Sequence, residues 1–110
     1  MSQVTTHVLD AATGTPAHGM AVVFDRHTAD GWREVGGGAT DADGRIGTLG
    51  PARLEPGTYR LTFATGDWFE AGERPSFYPE VVITFAITGP GHYHVPLLLS
   101  PFAYSTYRGS

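Results

Sequence analysis

The nineteen residues His92-Tyr93-His94-Val95-Pro96-Leu97-Leu98-Leu99-Ser100-Pro101-Phe102-Ala103-Tyr104-Ser105-Thr106-Tyr107-Arg108-Gly109-Ser110 decide how the rest of the chain is read. At strand period, Tyr93, Val95, Leu97 and Leu99 share one apolar face, and His92, His94, Pro96 and Leu98 share the other. The first face is a core face. The second opens on two imidazoles, the side chains best suited to moving protons near neutral pH. Ser100-Pro101 breaks the run, and a last strand is predicted over about Ala103 to Tyr107. Chain ends usually fray, but here the apolar pattern runs almost to the last residue, so the tail is expected to be tied down. Two strand histidines taken alone are more often half-exposed surface residues than a site.

Upstream, Glu80 to Ile87 is the most regular strand, with Val81, Ile83, Phe85 and Ile87 on one face. Leu54 to Gly57 turns into a strand over Thr58 to Ala64, where Tyr59, Leu61 and Phe63 alternate with Arg60 and Thr62. Gly66 to Gly72 predicts a short helix with Asp67 as its N-cap and Gly72 closing it. Met20 to Asp25 and Trp32 to Gly38 predict two strands around the turn Thr28-Ala29-Asp30-Gly31, whose Asp-Gly pair suits a tight hairpin. Three successive glycines, Gly36 to Gly38, mark an edge or a close approach of another backbone. Asp41-Ala42-Asp43-Gly44 is a turn leading into Arg45 and Ile46. It is not a calcium loop, because Arg45 occupies the fifth position and the glycine comes two places early. Gln3 to Asp10 alternates Val4, Thr6 and Val8 against Thr5, His7 and Leu9, and Ala11 to Pro16 reads as loop.

Seven or eight short strands, frequent Gly and Pro turns and one short helix predict an all-β, antiparallel two-sheet β-sandwich, with residues 1–110 as one domain. A chain of 110 residues can bury roughly two thirds of its unfolded surface, enough for one core without disulfides. With no cysteine there is no thiolate nucleophile. A net charge of −4 with no basic run makes nucleic acid a poor candidate partner, and none is expected. No apolar span reaches membrane length and the start lacks a signal-peptide pattern, so a cytoplasmic protein with no membrane partner is expected. Sandwiches host many activities, and architecture alone names none.

Four stretches carry a resemblance. Thr6-His7-Val8-Leu9-Asp10, Thr40-Asp41-Ala42-Asp43-Gly44-Arg45, Phe77-Tyr78-Pro79-Glu80-Val81 and His92 to Ser110 resemble the transthyretin-like 5-hydroxyisourate hydrolases. The first three are short. The fourth is specific, because Tyr107-Arg108-Gly109-Ser110 separates the hydrolase branch from the hormone-carrier branch, which shares only the Leu-Leu-Ser-Pro strand.

The resemblance implies a transthyretin-like sandwich assembled as a homotetramer, a dimer of dimers with active sites in the channel between them. The Gly-rich strand and the last two strands would then meet partner subunits. It implies hydrolysis of 5-hydroxyisourate to 2-oxo-4-hydroxy-4-carboxy-5-ureidoimidazoline in urate breakdown, with no cofactor and no metal. His7, Arg45, His94 and Ser110 match the catalytic positions, and His92, Tyr107, Arg108 and Gly109 would contact substrate. An imidazole near its ordinary pKa of about 6.5 can take a proton from water at neutral pH. His7 and His94 would share that work, in an order left open. Arg45 and Arg108 would hold the anionic ring and the developing oxyanion, with Ser110 bonding the ring or water and Tyr107 shaping the wall.

Two rivals stand beside this reading. His7, His92 and His94 could give three imidazoles to zinc, with water in the fourth position. Alternatively, the chain could be a carrier of a small aromatic molecule, a role for which the terminal tetrapeptide is not needed. His18 and His27 read as surface residues, and Trp32 and Trp68 as core or interface.

Overall fold

In the computed structural model, which describes residues 2–110, the alternating stretches become strands that turn their apolar residues to one interior. The chain runs β1 (Val4–Asp10), β2 (Thr15–Pro16), β3 (Ala21–Thr28), β4 (Gly31–Ala39), β5 (Arg45–Ile46), β6 (Gly57–Phe63), α1 (Thr65–Ala71), β7 (Val81–Ile87), β8 (Tyr93–Ser100) and β9 (Ala103–Thr106). One sheet has the order β2-β1-β8-β9, with β5 also paired to β1, and the other has the order β4-β3-β6-β7. This is the expected two-sheet sandwich with its short helix.

Val4, Val8, Tyr93, Val95, Leu97 and Leu99 face inward from the first sheet, and Val22, Phe24, Tyr59, Leu61, Phe63, Val81, Ile83 and Ile87 from the second. Each such side chain contributes about 1.5–3 kcal/mol on leaving water. Phe24 lies with its ring centroid 5.5 Å from Tyr59 and 6.3 Å from Phe85. The buried Tyr59 hydroxyl donates to the Glu55 carbonyl at 2.6 Å, so it enters the core with its polar end satisfied. No described helix is long and apolar enough to cross a membrane.

One pairing departs from the antiparallel expectation. β1 and β8 run parallel, with Thr5 beside His94 and His7 beside Pro96. Parallel neighbours need a long crossover, and here the entire second sheet lies between them in the chain. The consequence for the site is direct: the outward residues of β1 and β8 stand side by side.

Smaller differences have local causes. Ala11 to Pro16 is not all loop, because the Asp10 carboxylate accepts from the Ala12 and Thr13 amides and folds the chain back into the β1–β2 ladder. Asp67 does not cap α1; it sits in the first turn, where a carboxylate favours the helix dipole, and Ala64 holds the capping position without a side-chain bond. The Gly66 amide donates instead to Pro79 at 3.0 Å, so the Pro79 loop does the work of a cap. Gly72 ends the helix with φ −89, and the left-handed residue is Glu73, at φ 56. The glycine run fulfils both of its expected meanings. β4 is an edge strand, and a Cβ on Gly36 would sit 1.7 Å from the Leu49 carbonyl oxygen.

Candidate active site

Three elements deliver side chains to one patch on the outer face of the first sheet. On β1, alternation sends Val4, Thr6 and Val8 inward and turns Thr5 and His7 outward, half-buried. The parallel register sets Thr5 beside His94 of β8, and the β1–β5 ladder sets His7 beside Arg45. Arg45 is presented by its turn: Asp41 Oδ1 accepts from the Asp43 and Arg45 amides, both at 2.9 Å, and the Gly44 carbonyl accepts from the Val8 amide at 2.7 Å. These bonds hold the Asp41 carboxyl below its usual value, the Arg45 amide first among them.

The carboxy-terminal tail completes the patch. Beyond β9 the Gly109 amide donates to the His94 carbonyl at 2.8 Å, an isolated antiparallel bridge that pins the chain end across β8. Glycine allows this close approach, since a Cβ on Gly109 would stand 2.5 Å from His94 Cδ2 and force the ring or the tail to shift. Ser110 thereby reaches a cleft of about 220 Å³ that it lines with Thr5, Arg45, Gly47, His92 and His94. His7 flanks this cleft without lining it.

The expected residues therefore separate. Arg45, His92, His94 and Ser110 share the cleft, with His7 next to them and Gly109 close to the Cδ2 side of the His94 ring. Tyr107 and Arg108 do not line this cleft. Both line a neighbouring cavity of about 420 Å³, which His94 also lines and where the Arg108 guanidinium carbon lies 4.4 Å over the Tyr93 ring. The physical reason is the Gly109 bridge. Paired with His94 it faces the outer side of the sheet, which turns the preceding Arg108 toward the inner-facing Tyr93.

Electrostatics favour a neutral base beside a fixed cation. Burial first, and then the Arg45 guanidinium and the neighbouring His92 and His7 rings, hold the His94 imidazole below the ordinary histidine value. The described ion pairs are Arg60 with Asp25 and Arg74 with Asp10, so no carboxylate among the described residues is in ion-pair contact with Arg45, whose charge reaches Asp41 only at longer range. An uncompensated guanidinium is a ready donor fork for an anion. Among the described residues, no three His, Cys, Asp or Glu side chains are grouped as metal ligands, so His7, His92 and His94 do not form the trio the zinc reading needs.

Reading the sequence missed Thr5, whose Oγ1 lies 2.9 Å from His92 Nε2 and 2.8 Å from His94 Nδ1. A signal was present, because Thr5 shares the outward face of its strand with His7.

The fold and site define a transthyretin-type sandwich with histidines and an unpaired arginine in an outer-face cleft. The family model described as HIUase/Transthyretin family matches residues 4–109, and the chain belongs to that family. Within it, a 5-hydroxyisourate hydrolase from Salmonella dublin is 48% identical over 106 residues, covering 94% of this chain and 78% of the relative. The solved structure of Klebsiella pneumoniae 5-hydroxyisourate hydrolase superposes with a TM-score of 0.88 at 41% identity, covering 97% of this chain and 98% of that one. Transthyretin from Sparus aurata superposes with a TM-score of 0.92 at 34% identity, covering 99% and 97%. Both branches thus fit the backbone about equally well, and the distinction rests on side chains.

Proposed function

We propose that this chain hydrolyses 5-hydroxyisourate to 2-oxo-4-hydroxy-4-carboxy-5-ureidoimidazoline, a cyclic amide hydrolysis that uses imidazole bases and needs no metal. The observation that carries the reading is the cleft itself, where Arg45, His94 and Ser110 meet from three separated segments with His7 alongside. The hydrolase relatives, at up to 48% identity, support the same substrate.

Water is a weak nucleophile, so its proton goes to an imidazole as its oxygen bonds to a ring carbonyl carbon. The carbon–nitrogen ring bond then breaks, the nitrogen takes a proton, and a carboxylate is left. His94, whose pKa burial and Arg45 hold below the ordinary value, is the base, and His7, beside Arg45, orients water or returns the proton. Arg45 holds the anionic ring and the oxyanion, and Ser110 bonds substrate or water. Arg108 stacks on Tyr93 in the neighbouring cavity that His94 also lines, and with Tyr107 it contacts substrate from that side.

Assembly as a homotetramer, with active sites at the interface between dimers, belongs to the same reading. All four residues of the edge strand β9 are exposed, Phe102 and Phe77 are 64% and 69% exposed, and Tyr104 stands edge-on to Tyr78 at 5.2 Å. Such an apolar edge calls for a partner.

The test is the decay of ultraviolet absorbance of 5-hydroxyisourate made in place from urate by urate oxidase. The wild-type chain is expected to speed decay, unaffected by chelators, and His94→Asn or His7→Asn to lower kcat/KM by roughly 100- to 10,000-fold. Wild-type decay no faster than background overturns the reading.

A further inference from the structure

The chemistry of one hydroxyl joins the two histidines of the cleft. A threonine hydroxyl has one proton to donate and two lone pairs to accept with. Thr5 Oγ1 lies within hydrogen-bonding distance of two ring nitrogens, His92 Nε2 at 2.9 Å and His94 Nδ1 at 2.8 Å. It can donate to only one of them, so the protonation of one ring constrains the other.

We propose that Thr5 is a positioning residue: its hydroxyl accepts from His94 Nδ1–H and donates to His92 Nε2, leaving the His94 Nε2 lone pair free to take a proton. This rests on the hydrolytic reading above and names how that site sets its base. When His94 Nε2 takes a proton, both ring nitrogens become donors, and Nδ1–H needs an acceptor. Thr5 supplies it, through Oγ1 at 2.8 Å and with its backbone carbonyl also favouring a protonated ring. The hydroxyl proton then has His92 Nε2 as its own acceptor, which holds His92 as the Nδ1–H tautomer. The opposite polarity, with Thr5 donating to His94 Nδ1, would put the His94 proton on Nε2 and remove the base.

The frame around the hydroxyl is rigid. Thr5 is fixed by the β1–β8 ladder directly beside His94, and the Gly109 backbone packs against the Cδ2 edge of the ring, opposing rotation. The charged or titratable groups around His94 are His7 on β1, Arg45 on β5 and His92 just before β8. None of these three is an acceptor for Nδ1–H; the acceptors beside the ring are the Thr5 hydroxyl at 2.8 Å and the Thr5 backbone carbonyl, both of which favour a proton on the ring, with Ser110 in the same cleft.

Thr5→Val keeps the shape of the side chain and removes the hydroxyl, and Thr5→Ser restores it. In wild type, ring 15N chemical shifts are expected to show His94 as the Nδ1–H tautomer and His92 likewise. In Thr5→Val these signals move toward a tautomer mixture and kcat/KM falls roughly 10- to 100-fold, while Thr5→Ser returns both toward wild type. Ring shifts that show His94 as the Nε2–H tautomer in wild type, or that do not change in Thr5→Val, overturn the proposal. So does a loss of activity that serine fails to rescue. The ring shifts are read without substrate, so a wild type inactive on 5-hydroxyisourate would sink the functional reading and leave the Thr5 assignment to be decided by the shifts.

Discussion

The outer faces of the two sheets are built from similar parts and come to different ends. On the β3–β6 sheet, Arg60 is paired with Asp25 at 3.1 Å and lies 4.2 Å over the Trp32 ring, which His27 meets edge-on at 5.0 Å. On the β1–β8 sheet, the His92 and His94 ring centroids lie 6.3 Å apart, Arg45 lines the same cleft, and no carboxylate or aromatic ring among the described residues is in direct contact with the arginine. The first face consumes its charge internally, while the second keeps it for something else. A histidine beside an arginine is therefore not a site; a histidine beside an arginine with no internal partner is a candidate.

The sharpest way to break this contrast is to remove each arginine in turn. Arg45→Gln is expected to lower kcat/KM by about 100- to 1,000-fold, the scale of losing one donor to a developing oxyanion. Arg60→Gln should leave kcat/KM unchanged and cost less than about 1 kcal/mol of stability, as a partly exposed pair does. The pH profile adds a signed test. After burial, the Arg45 charge is the largest cause holding the His94 pKa down, so its removal lets that pKa rise. More of His94 is then protonated at a given pH, and the acid limb of kcat/KM moves to higher pH. An unmoved limb would mean that His94 is not the base.

Much of this was legible beforehand, and what was not has a common cause. Strand alternation placed Tyr93, Val95, Leu97 and Leu99 in the core and turned His94 outward, and the unbroken pattern toward Ser110 anticipated a pinned tail. Period, however, describes a strand and not its neighbour. Nothing in the spacing of Val4 to Asp10 says that β8 lies alongside in parallel, so the meeting of Thr5 with two imidazoles was invisible. Arg108 shows the same limit. Its direction is set by the Gly109 bridge to His94, a contact between residues fifteen positions apart.

That bridge gives the next effect in size. Gly109→Ala places a Cβ 2.5 Å from His94 Cδ2, so the ring or the tail must shift. Displacing a catalytic group by about an ångström can cost on the order of 100-fold, and a loss of roughly 10- to 100-fold in kcat/KM is expected. Gly89→Ala is the control, since nothing lies within 4 Å of a Cβ there. Equal activity in the two variants would separate the tail from the chemistry.

The smallest effect concerns stability alone, at the far end of the strand that carries His7. Asp10 is 2% exposed and its carboxylate is paired with Arg74, which also lies 4.9 Å over the Phe69 ring. Burial pushes the Asp10 pKa up, but hydrogen bonds from Arg74 and Thr13 outweigh it, and the net position is below the ordinary value of 3.8. A depressed carboxylate stabilises the fold above its unfolded pKa and loses that contribution as pH falls through the folded value. Arg74→Ala is therefore expected to cost about 1.5–3 kcal/mol at neutral pH, with kcat/KM at moderate temperature unchanged. In denaturant unfolding across pH, the gap between wild type and variant should narrow as the solution becomes more acid than Asp10 tolerates. A gap that stays constant into strong acid would assign the stabilisation to the stacking of Arg74 on Phe69 and not to its charge.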